Sequence, residues 1–266
     1  MAIPLKSPAQ IDAIAAAGRV LDTVLHDLAL RDLQPGVTTR ELSERADRLI
    51  RARRATPALL GYRQGGAPAF SGAACVCVNE EVVHAAPSSR IVRAGDVVTI
   101  DCAIEYKGWH ADTAWTVAVD DRSGRASRLQ ALAAGTLADA AAAIAPGVRW
   151  SSIADAARER VAREGCCLLA GYCGHGVGRA LHEPPRLSFV SRDWSAPGED
   201  VVLQAGMVLC VEPIICEGTS PPPLAVLDDG WTVVTADRRW TAHEEVCVAV
   251  TRTGSRVLAG CAPAMA

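Results

Sequence analysis

Two carboxylates stand in strand sequence that has little use for charge. Asp101 follows the apolar run Val97-Val98-Thr99-Ile100, and Asp112 precedes a second run, Thr113 to Val119. Gly95-Asp96 and Asp120-Asp121 bound the pair of runs, and Tyr106-Lys107-Gly108 reads as a turn between them, so the pattern predicts a β-hairpin. A four-residue turn, Glu105 to Gly108, sets the aspartates directly opposite. A turn of Lys107-Gly108 alone makes them diagonal neighbours. Both registers put the two on one face, because side chains alternate along a strand. Carboxylates sharing a buried face repel unless a cation or a proton lies between them. That chemistry is metal binding; the plainer reading is one solvated face of an edge hairpin.

Imidazoles could complete such a site. Histidines stand at 26, 84, 110, 175, 182 and 243. His175 lies in Gly171-Tyr172-Cys173-Gly174-His175-Gly176-Val177-Gly178, where the glycines let backbone approach a ligand closely, and His182-Glu183-Pro184-Pro185 follows. His26 falls in the first helix and reads as structural or exposed. His110 shares the strand face of Asp112 and reads as a surface residue.

The elements around these residues carry clear punctuation. Ser7-Pro8-Ala9-Gln10 is a capping box that opens a helix to about Leu33, stopped by Pro35-Gly36. Thr38-Thr39-Arg40-Glu41 is a second capping box, with a helix to about Arg54. A glycine-rich loop, Gly61 to Gly72, and a strand at Cys75 to Asn79 lead to the hairpin. Beyond it, helices are expected from about Ser127 to Ala145 and from a cap at Ser152 to about Gly165.

The order of events then repeats. Pro146-Gly147-Val148 stands 111 residues after Pro35-Gly36-Val37, Ala205-Gly206 stands 111 after Ala94-Gly95, and Leu59-Leu60-Gly61-Tyr62 has a counterpart near Leu168 to Tyr172. This self-similarity indicates an internal duplication. At that offset Asp101 falls on Glu212, and Glu245, in the late strand Glu245 to Val250, is expected to be the partner of Asp112. Four acids then converge about a pseudo-twofold axis. They cannot all ionise in an apolar setting without cations, and a two-metal cluster removes the conflict.

Composition excludes other classes. Half of the 266 residues are apolar and 21% are charged, enough for a sizeable core, and the net charge is −3. The one basic run, Arg51-Ala52-Arg53-Arg54, fits a solvated helix end, so no nucleic-acid partner is expected. No stretch approaches a membrane span and no export signal is visible, which places the protein in the cytoplasm with its ten cysteines as reduced core thiols. Cys75-Val76-Cys77 and Cys166-Cys167 lack a second pair at zinc-finger spacing.

Taken together the motifs resemble the methionine aminopeptidases, type 1. The residues that carry the likeness are Asn79-Glu80-Glu81-Val82-Val83-His84, Asp101 with Asp112, and Cys173-Gly174-His175-Gly176-Val177-Gly178 with His182-Glu183. Gly206-Met207, Val211-Glu212-Pro213, Asp229-Gly230-Trp231-Thr232 and the segment from Thr241 to Glu245 continue it. The resemblance spans roughly residues 8 to 252, in family order, and the short N-terminus looks like the bacterial form.

It implies an α+β pita-bread fold with internally duplicated halves, in one catalytic domain over 1–266 whose repeats are roughly 8–121 and 122–252. It also implies two divalent ions, Co, Mn, Fe or Zn. Asp101 would hold one ion, Asp112 and Glu245 would bridge both, and His175 with Glu212 would complete the second site. Glu212 would double as general base and acid, and His84 and His182 would touch the substrate amide. Cys75, Trp231, Phe70 and Leu181 would form the apolar methionine pocket. The implied substrates are N-terminal peptides of nascent proteins with a small second residue, met near the ribosome by a monomer. Val246, Leu181, Ala67, Ala85-Ala86 and the loop Gly218 to Leu224 depart from the family pattern and bear on the pocket's shape. An Xaa-Pro dipeptidase on the same fold, or a binding protein without chemistry, are the alternatives.

Overall fold

Both capping boxes close as their residues dictate. Gln10 N donates to Ser7 Oγ while Ser7 N donates to Gln10 Oε1, and Glu41 with Thr38 repeats the exchange. In the computed structural model, which describes residues 2–191, 194–196, 198 and 200–260, α1 is Pro8–Asp27, extended by a π turn at Leu28–Asp32, and α2 is Thr39–Ala52. Strands β1 (Thr56–Pro57), β2 (Cys75–Val78) and β3 (Glu81–Val83) precede the hairpin of β4 (Val97–Tyr106) and β5 (Trp109–Ala118). Helices α3 (Arg125–Ala142) and α4 (Trp150–Arg163) follow. Then come β6 (Cys166–Leu168), β7 (Gly174–Gly176), β8 (Glu183–Leu187), β9 (Val208–Val211) and β10 (Ile214–Glu217). The chain ends with β11 (Leu224–Val226), β12 (Val233–Thr235), β13 (Thr241–His243), β14 (Val246–Val250) and β15 (Ser255–Ala259). Arg149, not Ser152, caps α4; the Ser152 hydroxyl instead donates back to Arg149 O at 2.7 Å inside the first turn.

The hairpin turn is the short one. Tyr106 pairs with Trp109, leaving Lys107 and Gly108, both at positive φ, as a two-residue turn of the kind that matches strand twist. Asp101 therefore faces Ala114, Asp112 faces Ala103, and the two aspartates are diagonal neighbours on one face.

The same register recurs in the second half. Val208 faces Ala249 as Val97 faces Ala118, and Ile214 opposite His243 continues the line across a break at Glu212-Pro213. Glu217 N bonds Trp240 O where Tyr106 faces Trp109, with residues 218–240 in place of a tight turn. The bonds Gly36 N to Val92 O and Thr39 N to Arg90 O have counterparts in Gly147 N to Leu203 O and Trp150 N to Val201 O. Asp101 thus corresponds to Glu212. The register corrects the other pairing: Asp112 corresponds to His243, and Glu245, which lies just before β14, corresponds to Ala114.

All strand pairs are antiparallel, in a four-stranded, a five-stranded and two three-stranded sheets, giving an α+β architecture. Leu21, Leu25, Leu42 and Ile50 of α1 and α2 pack on Val98, Ile100 and Ile104 of β4. Leu129, Ile153 and Val161 of α3 and α4 pack on Leu209, Val211, Ile215 and Val248. The helices occupy the faces opposite the acids. Among the described residues no helix is long and apolar enough to cross a membrane, and no disulfide joins the cysteines of this set.

Close helix–strand approach at one point depends on glycine. A Cβ added at Gly18 would sit 1.9 Å from the Leu258 carbonyl oxygen of β15. Gly18→Ala is expected to force α1 off β15 and to destabilise the fold by about 1–3 kcal/mol. An unchanged urea midpoint would show that β15 yields freely.

Candidate metal centre

Strand register aims the acids. Cys75 on β2 faces Asp101 on β4, so its thiol and both hairpin aspartates project from the same face. The second half is stitched to that face through β5. Glu245 N donates to Ala114 O at 2.9 Å, Thr113 Oγ1 donates to Glu245 O, and Thr116 Oγ1 donates to His243 O at 2.7 Å. These bonds carry Glu245 to Asp112. Glu212 enters from the break between β9 and β10, and β7, paired with β9, presents His175.

The result is one cleft of about 550 Å³, its solvent mouth included. Asp101, Asp112, His175, Glu212 and Glu245 line its floor, together with His84 and His182; Cys75, Phe70 and Trp231 line its apolar wall. Leu181 is the exception: it is buried but does not line the cleft, where Tyr62 and Leu59 stand instead. Phe70 and Trp231 meet edge to face at 5.4 Å, and Trp231 Nε1 donates to Pro68 O, which fixes that wall.

The donor set fits a divalent cation. His175 Nδ1 lies 2.9 Å from Gly176 O. A carbonyl only accepts, so Nδ1 carries the proton and Nε2 turns its lone pair toward the acids, the usual support of a metal-binding imidazole. His175 Nε2 stands 3.7 Å from Asp112 Oδ2 and 3.8 Å from Glu212 Oε1, too far for hydrogen bonds. Asp112 Oδ1 and Glu245 Oε1 are buried without any hydrogen-bond partner. Ligand atoms of Asp112, His175, Glu245 and the Cys210 thiol lie within 4.8 Å of one another.

Protonation tells the same story. Burial, then the neighbouring acids, raises Asp101, Glu212 and Glu245 well above the carboxylate range, and burial raises Asp112 to about 7. Burial lowers His175 and His84 to about 4, so both imidazoles are neutral. These directions belong to the cation-free cluster; a divalent ion reverses them for the acids.

Three further residues, His243, Tyr62 and Cys210, enter the site without having been singled out by motif reading, and Glu244 is buried beside Glu245 in the chain. His243 is fully enclosed, its Nε2 3.7 Å from Glu212 Oε2 and without a hydrogen bond. Glu244 accepts from Thr116 N, and burial raises its carboxyl to about 8. Tyr62 OH lies 2.8 Å from His182 Nδ1, and Cys210 faces His175 across β9 and β7. The signal for His243 and Glu244 was their place beside Glu245 in apolar strand sequence; Tyr62 and Cys210 carried none. His110 is partly buried, with a Nδ1 that finds no partner, rather than a plain surface residue.

The profile of metallopeptidase family M24 matches residues 12–252. The chain belongs to metallopeptidase family M24. Within it, the chain is 39% identical over 263 residues to methionine aminopeptidase 1 of Mycobacterium tuberculosis (strain CDC 1551 / Oshkosh), covering 96% of this chain and 94% of that one. It is 35% identical over 253 residues to methionine aminopeptidase 1 of Bacillus subtilis (strain 168), covering 95% and 97%. The crystal structure of methionine aminopeptidase from Thermotoga maritima superposes with a TM-score of 0.87 at 32% identity, covering 97% and 99%. The prolidase from Pyrococcus horikoshii OT3 shares the fold, with a TM-score of 0.74 at 20% identity, over 98% of this chain and 65% of that one. The resemblance read from the motifs, and the pita-bread fold it implied, hold for this M24 chain.

The sign of the cluster's pH dependence follows from Asp112. Its folded-state value, about 7, lies above its ordinary 3.8, so the stability tied to its protonated form is present at low pH and lost as pH rises through about 7. Stripped of metal at pH 8, Asp112→Asn is expected to melt several degrees above the parent chain, with the gap closing by pH 4. Manganese should raise the parent's melting temperature more than the variant's. Equal melting of the two stripped proteins at pH 8 would contradict this account.

Proposed function

We propose that the protein is a metal-dependent aminopeptidase that removes N-terminal methionine from peptides with a small second residue. The observation that carries this reading is the cleft itself: a cluster of carboxylates and one imidazole with unpartnered oxygens, set beside an apolar wall of Phe70, Cys75 and Trp231. In it, Asp101, Asp112, His175, Glu212 and Glu245 would hold the divalent ions. Mostly oxygen ligation with one imidazole suits Mn, Fe, Co or Zn. Such an ion polarises a carbonyl oxygen and lowers the pKa of water toward neutrality.

The chain's own groups supply the rest. Glu212 borders both His175 and His243, and with a divalent ion beside it the carboxyl would be ionised and suited to take a proton from water and return it to the leaving amine. His84 is held at φ 57, a backbone conformation uncommon for a residue with a side chain, with its ring edge-on to Trp231 and Tyr172. His84 and His182 are neutral donors for the substrate amide and for the charge that develops on its oxygen. Tyr62, bonded to His182, fixes the orientation of that ring. The methionine side chain lies against Phe70, Cys75 and Trp231. We read the chain as one catalytic domain over 1–266 with repeats at roughly 8–121 and 122–252, supported by the recurring strand register. Its finer setting is a cytoplasmic monomer acting on nascent chains near the ribosome.

Likeness to the prolidases is confined to fold, and their chains are longer. Metal-loaded protein should release methionine from a Met-Ala-Ser peptide and leave Xaa-Pro peptides intact. The reverse preference would replace this reading with a dipeptidase, and no hydrolysis with any of the four metals would favour a binding protein. Glu212→Ala should lower turnover by about 10²–10⁴-fold with an unchanged circular dichroism spectrum. Retained turnover in that variant would remove Glu212 from its role.

A further inference from the structure

On the face of the second half turned away from α3 and α4, β6 and β10 bring two cysteines together. Cys167 lies directly opposite Cys216. Leu169 N donates to Ile214 O at 3.0 Å, which makes 169/214, and therefore 167/216 two residues along, hydrogen-bonded antiparallel pairs. Such pairs hold their Cα atoms about 5.5 Å apart, inside the ~4.4–6.8 Å that a disulfide spans. Both side chains project from one face and join one apolar cluster with Leu169, Ile214 and Val233. Cys167 Sγ reaches to 3.7 Å from the Cys216 carbonyl oxygen.

The neighbouring thiols supply contrast. Cys166 points the other way, into the cluster of α3 and α4, and faces Glu217. Cys210 and Cys247 also stand opposite each other, but neither reaches solvent. Cys167 is half-buried while Cys216 is enclosed, so only one member of the pair meets a small oxidant. The hydrogen bond from the Cys216 thiol, assisted by the Arg239 guanidinium, lowers the Cys167 thiol, and the same contact raises Cys216. A lowered, reachable thiol is the one that reacts first.

We propose that Cys167 and Cys216 form a peroxide-oxidisable pair that closes to a disulfide between β6 and β10. The Cys167 thiolate attacks one oxygen of hydrogen peroxide, the O–O bond breaks, hydroxide leaves, and Cys167 becomes a sulfenic acid. The Cys216 sulfur then attacks the Cys167 sulfur; the S–S bond forms, the S–O bond breaks, and the hydroxyl leaves as water with the Cys216 proton. Two thiols lose two electrons in all, and the peroxide is reduced. The pair does not line the cleft of the acids, and the inference does not depend on the peptidase reading.

The test uses the folded full-length chain with hydrogen peroxide, followed by alkylation, non-reducing digestion and mass spectrometry. The expected result is the loss of two thiols per chain, one linked peptide pair joining Cys167 to Cys216, and full reversal by dithiothreitol. Cys166→Ser should leave the link in place and Cys167→Ser should abolish it. Cys167 driven to sulfinic acid without a link, a link from Cys167 to another cysteine, or two unreacted thiols under peroxide that oxidises free cysteine would each overturn the proposal. The parent chain alone decides among these outcomes, so a variant that fails to fold leaves the test intact.

Discussion

Carboxylates that share a buried cleft cannot all carry charge unless a cation lies among them. Asp101, Asp112, Glu212 and Glu245 meet under this constraint, with Asp112 Oδ1 and Glu245 Oε1 left without hydrogen bonds. In most of a protein such groups would be a fault, since an unpaired buried charge costs several kcal/mol. Here they define what the rest of the fold must do: hold several like charges close enough to share ions, while keeping water from satisfying each one separately.

Two hairpins meet that demand. In each, apolar residues on one face pack under a pair of helices, and the alternate residues face the cleft. The acid face is thus a by-product of burying the other face, and a slip of one residue would turn the aspartates into the helix layer. The hydroxyls of Thr113 and Thr116 and the amide of Glu245 tie the halves together beside the acids. The junction is polar and directional, so it fixes separation where apolar packing alone would let the halves slide.

The two halves are not chemically equal. Register puts His243 where the first half has Asp112, and Glu245 where it has Ala114. The break at Glu212-Pro213 lets the second strand carry Glu212 into the cleft while β10 turns away to pair with β6 and β13. A repeated backbone therefore presents a mixed set of acids and imidazoles, which is what distinguishes a coordination site from a symmetric pair of acidic clusters.

Much of this was legible in the sequence. The apolar runs Val97 to Ile100 and Thr113 to Val119, the capping boxes at Ser7 and Thr38, and the 111-residue offset are local or periodic signals, and they gave the hairpin, the helices and the correspondence of Asp101 with Glu212. Strand alternation also set the common face of Asp101 and Asp112, because parity along a strand survives either turn length. Tertiary structure alone decided the rest. Which register the hairpin took depended on Lys107 and Gly108 both adopting positive φ. The counterpart of Asp112 depended on how residues 218–240 were absorbed, and the roles of His243, Tyr62 and the Cys167–Cys216 pair depended on strands distant in sequence. Periodicity reports which side of its own element a residue occupies; what it meets there is set by packing between elements, and no spacing along the chain encodes that distance.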